Sequence, residues 1–305
     1  MKAEEYDAFL NAPSDYIIRT YMPRIFGTLE PLKMFSSIKS LFIQGYKGAI
    51  TSAVLTIPEI LSAFESLYKA GKEAMKFLTA TAEFDKDMAE LGFPAAYGGN
   101  IVNAPFDIFS DMLRGMRGTM VDMFQRPDKL LEAMNNIFPM LLEQGVSDAK
   151  RTGNSRVFMP LHRGADGFMS SKQFETFYWF GLKKIFLALK DEGLTPCPFF
   201  EGNYDSRLEY LTELPKGKIA GIFDTTDIFK AKEILGDTMC ILGNMPVSLL
   251  KTGTPQQVKA YSKKLIEVVG KGGGFIMSSR GVLDDANLEP VKIWGDYTRE
   301  YGVYS

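Results

Sequence analysis

Apolar positions follow two different spacings along this chain, and the change comes near residue 96. Between Ile57 and Leu91 they recur at helical intervals, through Ile60, Leu61, Phe64, Leu67 and Tyr68, and no strand-like alternation interrupts them. Upstream, Ser14 or Asp15 can cap a helix whose apolar positions include Ile17, Ile18 and Met22. Residues 1–95 therefore read as a mainly helical lead-in. From about residue 100, short apolar runs alternate with amphipathic segments. The runs are 100–105 (NIVNAP), 156–161 (RVFMPL), 197–202, 218–224, 238–244 and 273–279. Helices are predicted over 107–118, 128–150, 171–189, 206–214, 228–235, 255–269 and 289–301.

Strands alternating with helices imply parallel pairing through right-handed crossovers. Runs this apolar predict strands buried on both faces. An open doubly wound sheet and a closed barrel both fit. The ends of the runs carry Glu201, Asp224, Asn244 and Ser279. A barrel gathers all such ends at one mouth, where barrel enzymes place their chemistry. An open sheet collects ligands at a single switch point. The pattern therefore favours an α/β fold of the (β/α)8 barrel type. Six β/α units are visible, and residues 96–305 form one structural domain behind the helical segment.

Composition narrows the function. A net charge of -2 offers no basic face to displace counterions, so no nucleic-acid partner is expected. Cys197 and Cys240 are the two cysteines and form no CxxC or Cys/His cluster, which argues against a disulfide scaffold and fits a reducing, cytoplasmic location. The uncharged stretch from Gly48 to Pro58 is too short to span a bilayer, and the start MKAEEYDAFL lacks a signal peptide's basic and apolar regions. No membrane partner is expected. The 16 Met and 23 Phe suit a plastic, well-filled core, with a ligand cavity lined by them as the alternative.

Candidate chemistry clusters at the predicted strand ends. In EGNYDSRLEYL, Glu201 ends a run, and a carboxylate buried there needs a partner or a ligand. Asn203 and Asp205 follow where a helix begins, and Asp205 can serve simply as its cap. FDTTD repeats the design: Asp224 lines the mouth and Thr226 or Asp227 caps the next helix. In GNMPVSLLKTGTPQQV, Asn244 ends a run, and Thr254, Pro255 and Gln257 form a capping-box pattern. The glycines of GKGGGFIMSSRGV lack phosphate-loop spacing and precede a strand, so they read as a tight loop that leaves Arg280 just past the strand end. His162, the single histidine, stands at another strand end, placed for acid–base work or for a structural hydrogen bond.

The stretches NAPFD, EGNYDSRLEYL, FDTTDIFKAKEILGD, CILGNMPVSLLKTGTPQQV and GGGFIMSS together resemble the uroporphyrinogen decarboxylase superfamily, from about residue 97 to the C-terminus. The resemblance implies a (β/α)8 barrel whose third to eighth strands are seen here. The first two, with the arginine- and aspartate-bearing motifs that bind tetrapyrrole carboxylates, would be missing from a shortened N-terminus. It also implies one of two chemistries. One is cofactor-free decarboxylation of uroporphyrinogen. The other is methyl transfer between a cobamide carrier protein and a thiol activated by zinc.

The zinc ligands of the second group fall at Phe199, Glu201 and Arg280 here, and a guanidinium cannot ligate a metal, so zinc is not expected unless Glu201 alone contributes. The decarboxylase tyrosine falls near Asp111, its serine near Leu161, and its late histidine around Arg280 or Gly281. The resemblance thus implies a methyltransferase-like enzyme with no tightly bound cofactor. It would move a methyl group between a small methylated donor and a cobamide carried by a corrinoid-binding partner. Glu201 and His162 would be its catalytic residues, and Asn203, Asp224, Asn244, Arg280 and Asp111 its substrate-binding ones. Uroporphyrinogen decarboxylation in porphyrin biosynthesis, or a non-catalytic binding homologue, are the alternatives.

Overall fold

A computed structural model describes residues 1–35, 37, 50, 52–97 and 99–304. Of the apolar stretch from Gly48 to Pro58, residues 48, 49 and 51 lie outside those described. The chain divides into two compact units. One comprises Met1–Ala96 with Asp128–Ala133, and the other Tyr97–Pro127 with Met134–Ser305.

The first unit is helical among its described residues. Short helical turns between Ala3 and Met34 lead to a long helix, α1 (Pro58–Glu90). Ile60 and Ala63 on its first turns pack in a small core with Leu29, Leu32 and Phe35. The N-terminal cap differs from the expected one. Pro13 opens its helix behind Ala12 with no side-chain cap, and Asp15 instead holds Arg19 one turn on, at 2.5 Å. An i,i+4 ion pair with a guanidinium competes successfully for that carboxylate.

The second unit carries α2 (Met116–Gln125), most of α3 (Pro127–Thr152), β1 (Arg156–Leu161), α4 (Phe180–Asp191), β2 (Thr195–Phe200) and α5 (Leu208–Leu211). They are followed by β3 (Ala220–Phe223), α6 (Ile228–Leu235), β4 (Cys240–Met245), α7 (Val247–Thr252), α8 (Pro255–Lys264), β5 (Phe275–Ser279) and α9 (Leu288–Tyr301). All five strands are parallel and stand in the order β1-β2-β3-β4-β5. An order without reversal is the winding of a barrel, since a doubly wound sheet turns back at a switch point.

Six strand runs were expected, and among the described residues five strands form. The run at 100–105 contributes a single parallel bridge from Ile101 to Phe158, flanked by hydrogen bonds between Val102 and Phe158 and between Phe158 and Asn100. Two local features stop it there. The side-chain amide of Asn100 turns to the carbonyls of Asn154 and Arg156, and Pro105 opens a helical turn five residues later.

Burial on both faces holds along β4, where Ile241 to Met245 are all buried. It fails along β5, where Ile276 is half exposed. Among the described residues β5 pairs with β4 alone, and the hydroxyl of Tyr304 covers its outer edge by accepting from the Phe275 N–H, at 3.2 Å, and donating to the Phe275 carbonyl. A tyrosine there satisfies groups that would otherwise template a further strand. A groove of about 660 Å³ runs beside that edge, lined by Gly272, Phe275, Met277 and Tyr304. It begins at the N-terminal end of β5, away from the strand ends that carry the polar residues.

Local chemistry sets the crossovers as expected. Asp227 caps α6 by accepting from the N–H groups of Phe229 and Lys230. Thr254 and Gln257 cap α8 reciprocally. Gly272, Gly273 and Gly274 all take positive φ in the tight turn into β5.

Candidate functional site

Strand register explains which side chains meet. β1 and β2 pair up to Leu161 with Phe200, so one residue further His162 stands beside Glu201. β2 and β3 pair up to Phe200 with Phe223, which brings Asp224 level with Glu201. The β3–β4 register, Ile222 with Leu242, sets Asn244 level with Asp224. Four polar residues from four consecutive strands thus form one row at the C-terminal ends. Ser278 on β5 pairs with Asn244, and Arg280 lies two residues beyond it.

His162 is the centre of the row's reactive end. Its Nδ1 lies 2.5 Å from Asp111 Oδ2, and its Nε2 lies 3.5 Å from Glu201 Oε2. Asp111 also accepts from Arg163 Nη2 at 2.8 Å and from Ser110 Oγ at 3.0 Å. A carboxylate on Nδ1 holds the imidazole in the tautomer that presents Nε2 to the mouth. Glu201 is half exposed and His162 a third exposed, so both can reach a ligand from solvent. The array carboxylate–imidazole–carboxylate is a proton-transfer device in form.

A buried carboxylate, Asp107, supports this array. It is fully buried and accepts three hydrogen bonds, from the backbone N–H of His162 (3.0 Å), the N–H of Arg163 (3.1 Å) and the hydroxyl of Tyr178 (2.7 Å). It therefore pins the turn that carries His162 out of β1. Burial pushes its pKa up to about 6, against the pull of those donors. Burial likewise raises the phenols of Tyr178 and Tyr204 well above the ordinary tyrosine value. Tyr204 donates to the Leu161 carbonyl at the same turn, 3.1 Å away. Gly164 is required there, because a Cβ would lie 2.5 Å from the Tyr178 ring and 2.7 Å from the Tyr204 hydroxyl.

The remaining expected residues divide by what they touch. Asp224 accepts from the Gly202 N–H at 2.9 Å, and Thr226 accepts from the Tyr204 N–H at 2.9 Å. These bonds shape the turn after Glu201, in which Gly202 takes φ +87°. Asn203 and Asp205 bond each other, and Asp205 also accepts from the Asp227 N–H. Asp205 is thus a link between neighbouring turns rather than a helix cap, because α5 starts at Leu208, two residues later than such a cap requires.

Asn244 is buried and its amide is fully engaged. It donates to the carbonyls of Asp224 and Thr226 and accepts from Tyr261. Replacing Asn244 with Ala is expected to lower folding stability by about 2–3 kcal/mol, because two carbonyls and the Tyr261 hydroxyl lose their partner; chemical denaturation measures it. Arg280 does not pair with Glu201 across the mouth, since Glu201 is taken by His162. Its Nε is buried without a hydrogen bond, and among the described residues it has no carboxylate partner.

Asp107, Arg163 and Tyr178 were not expected from the sequence, and Thr226 was expected only as a possible helix cap. NAPFD, which contains Asp107, contributed only to the family resemblance.

Among the described residues no three His, Cys, Asp or Glu side chains converge as metal ligands. A thiolate-rich zinc set does not fit this mouth, because Cys197 lies inside β2 and Cys240 begins β4 at the far end. No described helix is long and apolar enough to cross a membrane.

A singly wound parallel sheet that brings polar side chains together at its strand C-termini defines a protein of the β/α-barrel class. The model of the uroporphyrinogen decarboxylase (URO-D) family matches residues 64–301, and the chain belongs to that family. The uroporphyrinogen decarboxylases of Chlorobium phaeovibrioides and Chlorobium luteolum are each 33% identical to it over 78 residues, which is 24% of this chain and 22% of each relative. The matched stretch is thus about a fifth of those relatives' length. A methyltransferase from Methanosarcina mazei has a similar fold, with a TM-score of 0.57 at 17% identity, over 83% of this chain and 67% of that one.

Proposed function

We propose that this chain is a methyltransferase-type member of its family, moving a methyl group from a small methylated donor to a cobamide on a partner protein at the barrel mouth. The observation that carries the reading is the Asp111–His162–Glu201 array. When a methyl group leaves an ether or amine, the oxygen or nitrogen left behind needs a proton. Asp111 orients His162, and His162 with Glu201 supplies that proton at Nε2 or Oε2. Arg280, with Asn203, holds the polar end of the donor, since an arginine without a protein carboxylate can bind one on a ligand. The carrier protein docks over the mouth and brings the cobamide, so this chain holds no cofactor tightly.

The test is methyl transfer to free cob(I)alamin from a panel of methoxylated aromatics and methylamines, followed by loss of the cob(I)alamin absorbance. Turnover with one class of donor, reduced about 10- to 100-fold by Glu201→Gln, is the expected result. No turnover with any donor, by wild type and variant alike, overturns the proposal. The local likeness to the two curated decarboxylases favours a second reading, release of carbon dioxide from uroporphyrinogen. Formation of coproporphyrinogen in the same preparation would establish that one instead.

A further inference from the structure

Beneath the polar row lies a layer of side chains that the proton transfer does not use. Phe275 and Met277 on β5 line the groove together with Ile266 and with Thr298 of α9, so they face the helices, and Ile276 between them faces the barrel interior. The strand register sets Leu242, Ile222, Phe199 and Pro160 level with Ile276, and level residues of paired strands share a face. Two residues below the row, the inner wall is therefore apolar on all five strands. It is not sealed. The helix-facing neighbours Leu161, Phe200, Phe223 and Ile241 are fully buried, whereas Ile222 and Leu242 keep 8% of their surface open and Ile276 keeps 51%. Phe199 is held as a flat platform by stacking on Phe158, with 6.3 Å between ring centres.

The charge above this floor is on the far wall. β5 stands four strands from β1, which is half the way round an eight-stranded barrel, so Arg280 faces His162 across the mouth. Its N–H still bonds the Met245 carbonyl at 2.9 Å, which keeps Arg280 in the ladder and on the inner face, two residues above Ser278. The carboxylates of the mouth are engaged within the chain. Asp111 holds His162 and Arg163, Glu201 lies beside His162, and Asp224 accepts from the Gly202 N–H. Arg280 has no such partner among the described residues. The uncommitted charge of the mouth is therefore positive, and the surface below it is broad and apolar. A methylamine, cationic and with little apolar body, matches neither.

We propose that the donor is an aromatic carboxylate that carries its methyl group as an ether, with the ring on the floor around Phe199, Ile222 and Leu242, the carboxylate on Arg280 and the ether oxygen toward His162. This rests on the methyl-transfer reading for the word donor, and on the wall and Arg280 alone for the class of ligand.

Isothermal titration of the full chain with three probes tests it. They are para-methoxybenzoate, para-methoxybenzamide, which keeps the ring and loses the charge, and methoxyacetate, which keeps the charge and loses the ring. The wild type is expected to bind the benzoate about 10-fold or more tightly than either of the others. Arg280→Gln is expected to weaken the benzoate about 10-fold or more and to leave the benzamide within about 3-fold of wild type. The Arg280 side chain makes no hydrogen bond through its buried Nε, and thermal unfolding verifies that the variant keeps its fold. No binding of the benzoate by the wild type overturns the proposal. So does equal affinity for benzoate and benzamide, methoxyacetate binding as tightly as the benzoate, or a variant that keeps the preference for the acid or weakens both ring compounds alike. Binding is read without turnover, so the two readings fail separately. Selective binding of the benzoate with no methyl transfer from any donor overturns methyl transfer and leaves the ligand class, whereas methyl transfer from methylamines without that selectivity overturns this inference alone.

Discussion

On the methyl-transfer reading proposed above, a chain carrying His162→Gln is expected to transfer methyl groups about 10²–10⁴-fold more slowly than the wild type while its unfolding midpoint stays close to unchanged. The loss in rate follows from the position of the ring. Among the described residues it is the group in contact with both Asp111 and Glu201, at 2.5 Å and 3.5 Å, so it connects the oriented end of the array to the mouth. Glutamine keeps a polar group there but cannot carry a proton from one side to the other. The small effect on stability follows from exposure. A ring one-third open to water makes contacts that solvent screens, and ion pairs of that kind contribute little to folding. Single-turnover transfer to cob(I)alamin measures the first quantity and thermal unfolding the second. A variant that loses stability and rate together would make His162 a structural residue.

Asp107→Ala is expected to do the reverse, lowering folding stability by about 3–5 kcal/mol. Three donors, the N–H groups of His162 and Arg163 and the hydroxyl of Tyr178, then remain buried without an acceptor. Denaturant titration measures the loss. The same carboxylate gives a pH signature. Its pKa is about 6 in the folded chain and near the ordinary value of 3.8 when unfolded. Between these values the folded chain holds a proton that the unfolded chain has released, so stability from this group increases as pH falls. Wild type should therefore gain about 1 kcal/mol on an Asp107→Asn variant between pH 7 and pH 5. A difference that is flat with pH, or that shrinks on acidification, would show that the carboxyl is not raised by burial.

Fold and site were legible to different depths. RVFMPL reads as a strand and forms one over the same residues, Arg156–Leu161, with its alternate side chains Val157, Met159 and Leu161 buried. The cap at Thr254 was equally plain, and the one at Asp227 was narrowed to Thr226 or Asp227, since a cap is made by residues two or three apart. The run at 100–105 does not share that fate, because Pro105 opens a helical turn at its end, and the carbonyls that hold the Asn100 side-chain amide belong to residues more than fifty positions on.

The site follows the same rule. Glu201, Asp224, Asn244 and Arg280 could be placed at the mouth because each stands at a strand end. What each one touches could not be read, since Asp111 meets His162 across fifty-one positions and Tyr178 meets Asp107 across seventy-one. Register does the work that sequence distance hides. Four strands in step bring four polar residues level, and that step is visible only once the pairs are known.

The site is built in two layers. Asp107 and Asn244 are buried and saturated with hydrogen bonds, whereas Glu201 stands half in water and Arg280 has a guanidinium without a carboxylate partner among the described residues. Substitutions in the buried layer strand donors and acceptors and lower stability, while substitutions in the outer layer change what the mouth offers a ligand at little cost to folding. A family built this way can exchange its reagents without rebuilding their mount. Retargeting this barrel to a new substrate should begin at positions 201, 203 and 280 and leave 107 and 244 untouched.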